Sequence, residues 1–148
     1  MKQPLILTLL FFSLSAFISS DGGEDDVTGV WLNGHETAHI EIFKTGKYFY
    51  GKIIWLKNPT NDQGEPKKDL NNPDANMRLK PLINLLILKG FEYEGNHKWS
   101  EGTIYDPKEG KTYSCKMWFE DENTDNLQMR GFVGVSLMGR TETWKRVK

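Results

Sequence analysis

The chain has 148 residues, 38% of them hydrophobic and 26% charged, with a formal net charge of −1. That length bounds it to one ordinary domain, and the balanced net charge gives no overall bias that would steer the whole chain to nucleic acid or to an anionic membrane. A single cysteine, Cys115, excludes any intrachain disulfide.

Met1-Lys2, an apolar run over residues 4–18 and then Ser19-Ser20 form the charged start, apolar centre and small-residue exit of a secretory signal peptide, assigned to residues 1–20. A bilayer crossing needs about 20 apolar residues, and Gln3, Pro4, Ser13 and Ser15 interrupt or flank this run. The expectation is an exported protein, periplasmic or extracellular, that is not integral to the membrane once the signal is removed. A retained N-terminal anchor is the alternative. No cysteine follows the run to carry a lipid. Removal of the signal takes Lys2 with it and leaves the remainder one unit more negative.

Residues 21–28 read as a flexible acidic leader, and residues 29–148 as a single β domain. Strand-like runs follow at 29–33, 38–43 and 48–56. The last two are joined through Thr45-Gly46, where glycine supplies the positive φ of a tight hairpin. Gly51 interrupts an aromatic and β-branched strand, which predicts a bulge or a sharp bend. That strand is apolar on both faces, so one face fills a core and the other is covered.

Residues 57–81 form one long irregular stretch rich in Asn, Asp, Pro and Lys, the kind of loop that tends to be functional. The apolar run at 82–88 has no period that separates helix from strand; a short helical turn leading into a strand at 87–93 fits it best. Further strands are expected around the turn at Gly95-Asn96, and on both sides of Asp106-Pro107-Lys108-Glu109-Gly110, whose Asp, Pro and Gly suit a tight connection. In the second of these, Tyr113, Cys115, Met117 and Phe119 share one parity, which places the cysteine on a core face as an inert thiol. A polar turn at 121–125, a strand at 127–133, a tight turn at 137–139 and a last strand at 141–147 complete the chain.

Eight or nine short strands at regular spacing describe an all-β sandwich or barrel. Gly29-Val30-Trp31 at the first strand and Trp144-Lys145-Arg146 at the last resemble the lipocalin-like arrangement, in which the first Trp plugs the base of an antiparallel β-barrel and an Arg stacks over it. The fold class expected is therefore a lipocalin-like antiparallel β-barrel.

Further segments carry a second resemblance. They are Tyr50-Gly51-Lys52-Ile53, Asp69-Leu70-Asn71-Asn72-Pro73, Arg78 with Pro81-Leu82, Ile87-Leu88-Lys89-Gly90-Phe91, and Trp99 to Gly102. The series continues through Ile104-Tyr105-Asp106-Pro107, Gly110-Lys111-Thr112-Tyr113, Arg130-Gly131 and Gly139-Arg140; over residues 29–147 the chain resembles a bacterial secreted-protein family, the domain of unknown function 2147. One departure is Asn84, which stands where the family is expected to carry Gly. The resemblance implies a secreted or periplasmic lipocalin-like barrel without an established activity, and it supplies no catalytic residue.

The strongest functional cluster is Asp69, Asn71, Asn72 and Arg78 from the long loop, with Tyr105, Asp106 and Tyr113 from the central hairpin. Trp55 and Arg130 complete the candidate ligand-binding set. The alternative is structural: the loop residues cap turns, Arg78 pairs with one of them, and Asp106 starts its own hairpin. No metal motif survives inspection, since Pro73 and Asp74 spoil a calcium loop and His35 and His39 lack a third ligand. Nucleophile elbows, a Cys–His pair and phosphate-binding glycine loops are missing, so no catalytic residue and no cofactor is expected. The function that fits is an exported carrier of a small, largely apolar molecule inside a barrel. An envelope enzyme or enzyme accessory acting on a polar substrate, and a structural or protein-interaction module, are the alternatives.

Overall fold

The computed structural model describes residues 23–148; the signal assigned to residues 1–20 lies outside them. Eight antiparallel strands run in chain order around a closed barrel. They are β1 (Gly29–Leu32), β2 (Ala38–Thr45), β3 (Tyr48–Leu56), β4 (Leu86–Gly95), β5 (Lys98–Asp106), β6 (Lys111–Trp118), β7 (Asn126–Phe132) and β8 (Gly139–Arg146). β8 returns to β1 through the pairs Trp31 with Arg146 and Leu32 with Lys145, which leaves the sheet without a free edge. Because every connection is to the next strand, the links after odd-numbered strands gather at one end, the loop end. Those after even-numbered strands lie at the other, the closed end.

Alternation builds the strands. In β2, Ala38, Ile40 and Ile42 are buried while the residues between them are only partly so. Gly46 takes the hairpin with φ 62°, and the β3–β4 register shifts on both sides of Gly51, so the predicted bulge is present. The turn at residues 82–85 is a single β-turn, closed by Leu85 N–H donating to Leu82 O at 3.1 Å, in place of the short helical turn expected there. Asn84 holds φ 68° in that turn. Asn is the residue after Gly that tolerates the left-handed region best, which gives the departure from the family pattern a physical reason.

The acidic segment expected to be a flexible leader is instead built into the closed end. Glu24–Val27 forms a 3-10 turn, with Val27 fully buried. Its carbonyls receive buried donors: Trp31 Nε1 donates to Val27 O at 2.9 Å and Trp99 Nε1 to Glu24 O at 3.2 Å. Arg146 lies 4.3 Å over the Trp31 ring, as the lipocalin-like pattern implied. Its guanidinium donates to Thr124 O, Thr28 O and Asp26 O at 3.0, 2.9 and 2.5 Å.

Side chains fill the lumen. Trp31, Trp99, Trp144, Phe49, Phe91, Leu88, Met117, Leu127 and Met129 are each at most 2% exposed. An enclosed void wide enough for water would leave accessible area on its walls, so these residues pack against one another and hold no ligand-sized space. Eight-stranded barrels have an interior just wide enough for such filling. The expectation of a ligand inside the barrel is therefore corrected by the volume of three indoles and two phenyl rings.

Candidate ligand groove

The long connection between β3 and β4 is bonded throughout. Thr60 bridges Pro66 and Lys68 bridges Pro81, and a 3-10 turn occupies Ala75–Met77. Asp74 caps that turn by accepting from Asn76 N–H at 2.9 Å.

Its anchor is Asp69, the one fully buried charged or polar residue among those described. Tyr105 Oη donates to Asp69 Oδ1 at 2.7 Å, and Asn72 Nδ2 donates to Oδ2 at 2.7 Å. Asp69 N–H donates in turn to Lys80 O at 2.9 Å, which ties the two arms of the loop together. Arg78 Nε donates to Asn72 O at 2.7 Å, so Arg78 steadies the residue that steadies the carboxylate. Asn71 reaches the β5–β6 turn, where its Nδ2 donates to Lys108 O at 2.9 Å. Burial, followed by the hydrogen bond to Asp69 and its charge, pushes the Tyr105 phenol up to about 12. Tyr105 therefore stays a donor across the physiological range.

Tyr105 stands on the outer face of the barrel. Leu88 and Ile104 pair across β4 and β5 and point to the core, so their neighbours Ile87, Lys89, Thr103 and Tyr105 point away from it. The latched loop arches over these residues and leaves a groove of about 670 Å³. Met77, Pro81, Ile83, Leu85 and Ile87 supply apolar wall; Asn72, Lys89, Thr103, Tyr105 and Thr112 supply a few polar groups. Leu85 and Ile87 are buried even though they lie outside the lumen, because the loop covers them.

The nine candidate residues separate in space. Asp69, Arg78 and Tyr105 converge, joined by Asn72, and Asn71 pins the loop from the other side. Trp55 does not join them. A one-residue register shift between His39 and Ile40 turns Trp55 outward, where its ring lies tilted against His39 with centroids 4.4 Å apart and it is 42% exposed. Tyr113 Oη donates to Glu109 within its own hairpin at 2.6 Å. Arg130 lies on β7 and grips the β7–β8 connection: Nε donates to Ser136 O at 2.5 Å and a terminal nitrogen to Leu137 O at 3.3 Å. That grip is why the expected tight turn at 137–139 is instead a longer loop containing a 3-10 turn, Ser136–Met138. Asp106 accepts from Lys108 N–H at 2.9 Å, which is the turn-forming role.

Sequence reasoning missed the apolar wall of the groove. Its signal was the run 85–88, apolar on both strand parities, which marks a strand covered on both faces. Among the described residues, no three His, Cys, Asp or Glu side chains are placed to share a metal ion.

The fold has a solved counterpart. Protein HP1028 from the human pathogen Helicobacter pylori, described as belonging to the lipocalin family, superposes with a TM-score of 0.71 at 23% identity, over 82% of this chain and 83% of that one. At that identity the likeness speaks for the fold alone: this chain is a lipocalin-like barrel. No curated protein matches. The sequence profile of an uncharacterized protein family conserved in bacteria, DUF2147, matches residues 29–146. The chain belongs to that family, the domain of unknown function 2147.

Proposed function

We propose that this is an exported binding protein that takes a small, largely apolar molecule in the groove beneath the latched loop, outside the packed lumen. The observation that carries this reading is the groove itself. Small-molecule sites are typically concavities of about 300–1,000 Å³ with apolar walls and few polar groups, and this one has that size and lining. Export rests on the sequence of residues 1–20 and belongs to the same proposal.

The geometry speaks against chemistry at the residues the enzymatic alternative would use. Both Asp69 oxygens are engaged by donors and the residue is fully buried, so it is not presented to a substrate. Asp106 is occupied by its own turn.

Native mass spectrometry of the protein purified from its own host tests the proposal, together with titration by an apolar fluorescent probe. The expected result is one bound molecule or probe per chain, lost in Thr103→Trp, whose indole fills the groove while the barrel keeps its circular dichroism spectrum. Binding that Thr103→Trp leaves unchanged would place the ligand elsewhere and end this reading.

A further inference from the structure

Charge and greasiness are distributed unevenly along the barrel axis, and the net charge conceals it. Large exposed apolar side chains collect in the loop-end connections: Leu70 and Leu79 on the long loop, and Val133, Val135, Leu137 and Met138 between β7 and β8. Leu137 is 88% exposed and Met138 76%. Four such residues within six positions exceed the scattered apolar exposure that any surface shows.

The β7–β8 connection is a held prong. Ser136–Met138 is a 3-10 turn, Arg130 bonds its carbonyls, and Lys116 Nζ lies 3.4 Å from Ser136 Oγ. Residues 127–141 contain Arg130 and Arg140 and no acidic side chain. The opposite end carries the larger share of acid, although Lys44 pairs with Glu24 and Asp25, and Lys148 with Asp125. Glu24, Asp25 and Asp26 close it, and the β6–β7 connection there adds Glu120, Asp121, Glu122 and Asp125.

We propose that the loop end docks on an anionic lipid bilayer. The 133–138 prong, held by Arg130, enters the headgroup layer, Arg140 and Lys116 face the phosphates, and the more acidic closed end points away. An apolar tip with a basic collar is the pairing that interfacial binding requires, since apolar insertion and attraction to anionic headgroups add. The opposite charge of the far end sets the orientation, because a negative surface repels it. The inference stands on the surface alone and holds whether or not the groove carries a ligand.

Vesicle flotation with residues 23–148, which contain the whole barrel and lack the apolar N-terminal run, tests it. The expected result is binding to phosphatidylglycerol–phosphatidylethanolamine vesicles, weakened by added salt, with little binding to phosphatidylcholine. Leu137→Ser with Met138→Ser should lower partitioning about tenfold or more, and Arg140→Gln about fivefold, with circular dichroism spectra unchanged. Failure of the unsubstituted protein to float with anionic vesicles would overturn the proposal, as would full binding by the folded double variant. Self-association that disappears in that variant, without vesicle binding, would assign the prong to a copy-to-copy contact and overturn it equally.

Discussion

Tyr105→Phe removes a single hydroxyl and isolates the contact on which the groove depends. Tyr105 Oη is 2.7 Å from Asp69 Oδ1, a charge-assisted bond to a residue with no solvent exposure. Water cannot take the place of the lost donor without opening the loop. A hydrogen bond to a charged group contributes about 1.5–3 kcal/mol, so a loss of about 2 kcal/mol is expected. Asp69→Ala should cost about 3 kcal/mol, because it strands both the phenol and the Asn72 amide. The double variant should cost clearly less than the sum, since the two positions share one bond. Urea unfolding followed by tryptophan fluorescence measures the global part. Hydrogen exchange at the amides of Asp69 and Leu82, which close the arms of the loop on Lys80 and Lys67, measures local release. The phenol adds a pH signature. Its folded value is raised from 10 to about 12, so its contribution is fully present below pH 10 and is lost as pH rises from 10 through about 12. Tyr105→Phe should remove that component. A stability change within about 0.5 kcal/mol, the range of ordinary surface substitutions, with unaltered exchange would refute the latch.

Cys115, whose thiol burial pushes up to about 12 with the Glu142 charge adding to it, should resist aromatic disulfide reagents at pH 8 in the native state and react fully in denaturant. Arg146→Ala should destabilise by roughly 3 kcal/mol, since three carbonyls lose a charged donor and Trp31 its stacked cation; Arg146→Lys should recover less than half in thermal unfolding, because an ammonium cannot span that fork. Glu101 holds φ 61° within β5, and Glu101→Gly should stabilise by about 0.5–1 kcal/mol in urea titration by relieving left-handed strain.

Local rules were legible in the residues and non-local ones were not. Gly46 and Gly51 announce a hairpin and a bulge because only the backbone at that point decides them. The Trp31–Arg146 stack was readable because both partners occur at fixed places in a recognisable pattern. Trp55 was misplaced because one extra residue in a strand flips every later side chain, and an insertion of that kind has no compositional mark. The acidic segment was misjudged for a related reason. Its charges describe its outer surface, whereas its structural value lies in Val27 and in main-chain carbonyls that accept from Trp31, Trp99 and Arg146. Asp69 and Tyr105 are 36 positions apart, so their bond could be proposed as a cluster but not as a latch.

The proposed placement of the ligand on the outside follows from volume. A closed ring of eight strands has room for one layer of facing side chains, and here three tryptophans and two phenylalanines occupy it from the Trp31 base upward. Rigid packing of that interior frees the connections from holding the barrel together. The long loop then needs only its buried carboxylate to be fixed against the wall, and the β7–β8 prong only the carbonyl grip of Arg130. Both can carry apolar residues on their outer sides without loss of the fold, and those residues are the ones whose exposure the barrel does not explain. Under the two proposals taken together, a ligand drawn from a bilayer would meet the rim first and the groove next, with the more acidic closed end facing water.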